Sequence, residues 1–222
     1  MFRSKTRNFI FPQSEHLRLV GALVLHWGND HFARPALPFD SYVTGAALHD
    51  WGHGFFDMNE IGAMDESHRV RSMTNLVHAR LADPIAETVM LHHVKRLMGD
   101  DAIYGELRAL LNGRIDENLA RLHLDRALFD RADRITNLTD MISFDFCFER
   151  PAERAILVYA KRADQEQIPV TYEIIGDGQI TLDPWPLKVD SLEGYILAYG
   201  AEGYPDERVP SVVSYKITKR RL

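Results

Sequence analysis

Gly45-Ala46-Ala47-Leu48-His49-Asp50-Trp51-Gly52 is the stretch on which the reading of this chain turns. Asp40 can cap a helix running through Asp50, and the small residues Gly45, Ala46 and Ala47 let that helix pack closely against its neighbours. Adjacent helical residues point about 100° apart, so His49 and Asp50 can approach one metal ion from two sides. Imidazole together with carboxylate suits Fe, Mn or Zn and does not suit a thiolate-selective ion. A His-Asp dipeptide alone is a weak signal. Its weight comes from partners elsewhere in the chain.

Toward the N-terminus, Ser14 can cap a helix reaching Trp27, with Leu19, Val20, Leu23 and Trp27 at helical spacing. His16 shares that stripe and faces the core, where an imidazole must be hydrogen-bonded or bound to something. His26 lies toward the edge of the same helix. Toward the C-terminus, residues 51–68 read as a loop with Gly52, Gly54 and Gly62, followed by a short helix over 69–81. Helices are expected over 85–98, 102–112, 114–128 and 130–148. On the last of these Asp140 sits beside the apolar stripe of Leu128, Ile135, Ile142 and Phe146, with Asp133 two turns earlier on the same side as a fallback. Asp145 points nearly opposite and reads as solvated. On the 85–98 helix His93 falls on the apolar side and His92 nearer solvent. For each histidine the competing role is a core imidazole satisfied by a backbone carbonyl.

After Glu149-Arg150-Pro151 the pattern changes. Segments 155–159, 170–175, 179–182, 193–199 and 212–218 are rich in branched and aromatic residues, and Gly176-Asp177-Gly178 signals a hairpin. The expected fold is therefore a mainly α helical body over residues 1–150 with a strand-rich extension over 151–222, α+β overall.

Composition bounds the function. The chain has 222 residues, net charge −6, ten histidines mostly in the first half, and one cysteine. One cysteine rules out an intramolecular disulfide and a multi-thiolate zinc site, and points to a reducing cytoplasmic compartment. No apolar run nears the roughly 18 residues of a membrane span, and no signal-peptide core follows the opening residues. Mild acidity argues against binding a nucleic-acid duplex.

The order His16, then His49-Asp50, then Asp140, all on helices, resembles the HD-domain superfamily of metal-dependent phosphohydrolases. Glu15-His16-Leu17 with His26-Trp27-Gly28, the Ala46–Gly52 stretch, Thr139-Asp140 with Ser143, and Pro184-Trp185-Pro186-Leu187 are similar to one bacterial family within that fold, domain of unknown function 3891. The resemblance covers nearly the whole chain. It implies an HD-like helical bundle in which His16, His49, Asp50 and Asp140 are the metal ligands. His93 would correspond to the extra histidine that some members use for a second metal or for substrate phosphate.

On that footing the expected activity is hydrolysis of a small phosphorylated, nucleotide-like molecule with a divalent ion (Mn, Fe, Zn or Mg). Asp50 and His93 are the catalytic candidates. His53 and Asp57 are candidates for the pocket rim, and Lys95, Arg69 and Arg71 for holding phosphate. The alternative is a non-catalytic HD-like protein that binds a metal or ligand in regulation. A homodimer stays open under either reading.

Overall fold

The computed structural model describes residues 1–57, 59–161 and 166–220. It begins with two short strands, β1 (Phe2–Arg3) and β2 (Phe9–Phe11), paired antiparallel with Phe2 opposite Phe11. Helix α1 (Gln13–Leu25) follows directly. Its N-cap position is Pro12, two residues ahead of the expected Ser14 and without a side-chain cap. Helix α2 (Phe39–Ala47) enters from Pro38, and Asp40 lies in its first turn, where a carboxylate favours the helix dipole. α2 ends at Ala47, so His49 and Asp50 sit in the turn beyond it, ahead of a 3-10 turn over Trp51–Phe56.

Side-chain caps set the middle of the chain. Asp65 caps α3 (Glu66–His78) by accepting from the His68 amide, and Asp83 caps α4 (Pro84–Met98) with Pro84 at its first position. The expected break near residue 113 is absent. One helix, α5, runs from Gly105 to Leu122 and ends where His123 turns left-handed (φ 54°). Asp125 then caps the long α6 (Arg126–Cys147).

Five further strands complete one sheet: β3 (Ala152–Tyr159), β4 (Gln167–Gly176), β5 (Gln179–Asp183), β6 (Ser191–Gly200) and β7 (Pro210–Lys219). The strand order is β1-β2-β6-β7-β5-β4-β3, with β5 and β7 parallel and every other pair antiparallel. The expected β4–β5 hairpin is present, turned by Gly176 and Gly178 at positive φ.

This sheet corrects the expected mainly α bundle with a small strand-rich extension. The fold is α+β, built on a seven-stranded, half-barrel mixed sheet to which both ends of the chain contribute. β1 and β2 are too short to show a period of two in sequence. They form because β6 offers a free edge, where Phe9 pairs with Gly200 and Ile10 with Tyr199. Helices α1 and α6 pack on the sheet, and one apolar core joins Phe11, Leu19 and Ile142 to Tyr172, Ile196 and Ile217. A second core lies among α3, α4 and α5, around Leu76, Met90, Val94 and Ile115. No helix of the described residues is long and apolar enough to cross a membrane.

One close approach positions the site. A Cβ at Gly45 would lie 2.5 Å from the Ala86 carbonyl oxygen and 2.7 Å from the Val89 Cβ, so only glycine lets α2 lie this close to α4. That contact brings the turn after α2 against the middle of α4, where His93 lies.

Candidate metal centre

Each ligand candidate arrives on a different element. The first turn of α1 carries His16, the turn after α2 carries His49 and Asp50, and mid-α6 carries Asp140. His16 and His49 are fully buried, and Asp50 and Asp140 nearly so. His16 Nε2 lies 3.2 Å from His49 Nε2 and 3.3 Å from Asp140 Oδ1. His49 Nε2 lies 3.5 Å from the same Asp140 oxygen and 3.7 Å from Asp50 Oδ2, which is 4.0 Å from His16 Nε2. The sequence-predicted quartet therefore converges.

These separations fit an ion. Ligand atoms arranged tetrahedrally at bond lengths of about 2.0–2.3 Å stand roughly 3.3–3.8 Å apart, and the observed spacings bracket that range. The donor chemistry fits as well. His49 Nδ1 lies 2.7 Å from the Ala46 carbonyl oxygen. A carbonyl only accepts, so Nδ1 carries the proton of the neutral ring and Nε2 turns its lone pair toward His16 and Asp140. The His49 lone pair and the Asp140 carboxylate oxygen thus face one another across 3.5 Å. A cation is the natural complement.

Charge points the same way. Burial alone would push the Asp50 carboxyl up, but His53, His49 and His93 outweigh it and hold the group far below the usual carboxylate range. Asp140 follows the same pattern: burial opposes its charge, and the neighbouring His16, His49 and His93 hold it well down. His49 is drawn upward, because Asp50 and Asp140 outweigh the penalty of burying its charge. His93 and His53 are lowered, chiefly by burial. Among the described residues, Asp50, Asp140 and the neighbouring Asp133 have one guanidinium in ion-pair reach, Arg96, so carboxylates outnumber guanidinium by two.

The other predicted residues divide. His93 Nε2 lies 2.9 Å from Asp50 Oδ1, and His53 Nε2 lies 3.5 Å from that oxygen while its Nδ1 meets the Ser72 hydroxyl. Asp57 stands behind the site, its carboxylate 3.1 Å from the Gln13 backbone amide. Lys95 follows His93 by two residues, about 200° around α4, and its charge acts on His92 instead. Arg69 and Arg71 are exposed on α3. Asp133 accepts from Arg96 Nε at 2.9 Å and serves as that arginine's partner.

Two expectations about exposure fail. His92 is buried, stacked on Phe129 of α6 at 5.5 Å between ring centroids and 3.1 Å from Asp130. Asp145 is buried as well, because β3 and β4 cover the side of α6 that the helical wheel alone assigns to solvent.

Two residues of the site went unpredicted. Gln13 donates its side-chain amide to Asp50 Oδ2 at 2.7 Å, and Arg96 donates to His93 Nδ1 at 2.7 Å. Both stand three residues from a predicted histidine on the same helix, at the spacing that puts side chains on one face. That spacing was the available signal. A surface cavity of about 510 Å³ lined by Arg7, Glu149, Arg150 and Gly178 holds none of the cluster, so chemistry and not concavity marks this site.

No curated protein and no solved structure matches the chain. One family model does, over residues 1–199, a span running from β1 into β6 and containing every residue of the cluster. The chain therefore belongs to the family described as "Protein of unknown function (DUF3891)".

Proposed function

We propose that this protein is a metal-dependent phosphohydrolase of the HD type, acting on a small phosphorylated, nucleotide-like molecule. The observation that carries the reading is the convergence of His16, His49, Asp50 and Asp140 from two helices and one turn, with five of the six ligand-atom pairs 3.2–4.0 Å apart. Those four residues would hold a divalent ion, Mn, Fe, Zn or Mg, which the excess of carboxylates over guanidinium favours and the absence of thiolates from the cluster matches. Bound there, such an ion supplies a lowered water pKa, from about 16 toward about 7, and charge neutralisation at a phosphoryl oxygen.

The rest falls to the chain's own side chains. Asp50 presents Oδ2 toward His16 and His49 and Oδ1 toward His93 and His53, so one carboxylate links the ligand group to two neutral imidazoles. Gln13 holds Oδ2 in place from the other side. His53, the better exposed of these side chains, would be the one to meet a substrate, and burial favours its neutral ring. Net acidity favours a small-molecule partner over a nucleic-acid duplex, and the single buried cysteine fits a cytoplasmic setting.

A second reading has its own support. Asp50 and Asp140 expose only 12% and 8% of their side chains, which suits an ion held for structure or regulation as well as one used in turnover. The test is metal content of the purified protein, measured before and after supply of Mn, Fe, Zn or Mg, with phosphate release from a panel of nucleotides and simple phosphate mono- and diesters. Stoichiometric metal with turnover supports the hydrolase. Metal without turnover across the panel favours the regulatory protein. Absence of metal after supplementation removes both readings.

A further inference from the structure

His93 is fully buried on α4 with both ring nitrogens engaged: Nε2 lies 2.9 Å from Asp50 Oδ1 and Nδ1 lies 2.7 Å from Arg96 Nη2. A guanidinium has donors and no acceptor, so Nδ1 must be the lone-pair nitrogen of the neutral ring. The proton then sits on Nε2 and is donated to Asp50. Turning the ring over would put carbon at both contacts, so the same two partners fix its orientation. Arg96 is itself held, with Nε 2.9 Å from Asp133 Oδ2 and Nη2 3.5 Å from Asp140 Oδ2.

His49 is the contrast. Its centroid is 4.3 Å from that of His93, yet its proton is committed to the Ala46 carbonyl and its lone pair is turned inward. Two neighbouring imidazoles thus show the site opposite chemistry: a lone pair from one and an N–H from the other. His49, Asp50 and His93 are close enough together to hold an ion of their own. Such an ion would need the Nε2 lone pair that Arg96 keeps protonated.

We infer that Arg96 is a positioning residue that locks His93 as a hydrogen-bond donor to Asp50, and that the cluster therefore takes one divalent ion and not two. The inference rests on the metal-binding part of the proposed function. Within it, Asp50 divides its labour, with Oδ2 on the ligand side and Oδ1 reserved for His93. His93 orients that carboxylate in the way a metal ligand's outer hydrogen-bond partner does.

The experiment is native mass spectrometry of the full chain at a modest excess of Zn²⁺, paired with ¹⁵N-histidine NMR on metal-free and zinc-loaded protein. His93→Gln identifies the His93 resonances. The wild type should carry one zinc per chain, and His93 should show a protonated Nε2 with an unprotonated Nδ1 in both states. Arg96→Met should lose that tautomer signature and take up a second zinc, and Arg96→Lys, which keeps a donor, should return the count to one. Two zinc ions on the wild type, or an Nδ1–H tautomer, would overturn this inference and leave the metal reading standing. One ion and an unchanged tautomer in Arg96→Met would show that Arg96 does not set the ring. No zinc on the wild type would sink the metal reading and the ion count together, an outcome distinct from the others.

Discussion

Asp140 and Asp145 lie on the same helix, both buried, and the protein answers their charges in opposite ways. Asp145 accepts from Arg150 Nε at 2.6 Å, Arg154 Nε at 2.7 Å and the Tyr172 hydroxyl at 2.6 Å. Burial and the neighbouring carboxylate push the Tyr172 phenol far up, so it remains a donor. Asp140 meets two imidazoles that share its Oδ1 and one guanidinium already committed to Asp133. The first carboxylate is satisfied within the fold and ties α6 to the sheet. The second lies in a cluster of buried histidines and carboxylates that could hold a metal ion. A buried carboxylate is a site when its charge has been left unmatched, and scaffold when it has not.

The largest expected effect separates the candidate ligand cluster from the scaffold carboxylate. Asp50→Ala should abolish metal binding, read by elemental analysis, with far-UV circular dichroism nearly unchanged; Asp145→Asn should leave metal content at the wild-type level. Unaltered metal in Asp50→Ala would show that the ion, if any, is held elsewhere. Next, replacing Arg150 and Arg154 together by Met strands the Asp145 charge with Tyr172 as its remaining donor. Urea denaturation should then show a loss of about 3–5 kcal/mol, because an uncompensated buried charge is the costly case. Metal content per folded chain should not change.

The reverse asymmetry appears when the metal itself is varied. At 100 times its dissociation constant a metal bound only to the folded state adds about 2.7 kcal/mol to wild-type stability. That gain should vanish with a chelator and in Asp140→Asn, while persisting in Asp145→Asn. A stabilisation of equal size in Asp140→Asn would break the comparison. Gly45→Ala should cost about 1–3 kcal/mol by forcing α2 away from α4. It should also weaken metal binding, since His49 follows α2 and His93 rides on α4; unimpaired binding in a destabilised variant would show that the turn holds its shape independently. The smallest effect is expected for His26→Ala, whose metal content should match the wild type.

How far these sites could be read from the chain differs residue by residue. His16 stood out as an imidazole on an apolar helical stripe, where it must be buried with a partner; His49-Asp50 stood out as an adjacent pair and Asp140 as a carboxylate beside an apolar stripe, and their order along the chain resembles a known ligand pattern. Asp145 was not legible. A helical wheel records one helix, and this residue's surroundings are set by β3 and β4, with Tyr172 twenty-seven positions further along. His92 was hidden for the same reason, since Phe129 of α6 covers it. Strands β1 and β2, of two and three residues, carry too little pattern to announce themselves and exist through pairing with β6.

Short-range order along the chain was enough to locate most of the helices, most of the strands and the histidines and carboxylates that later meet. Caps such as Asp65, Asp83 and Asp125, the 3.6-residue period and the Gly176-Asp177-Gly178 turn act over a few residues and need nothing beyond them. The tertiary structure alone decided which carboxylates are matched and which imidazole turns a lone pair inward. Electrostatic pairing and tautomer choice depend on partners such as Arg96, Arg154 and the Ala46 carbonyl, which come within hydrogen-bond distance only once the elements have packed.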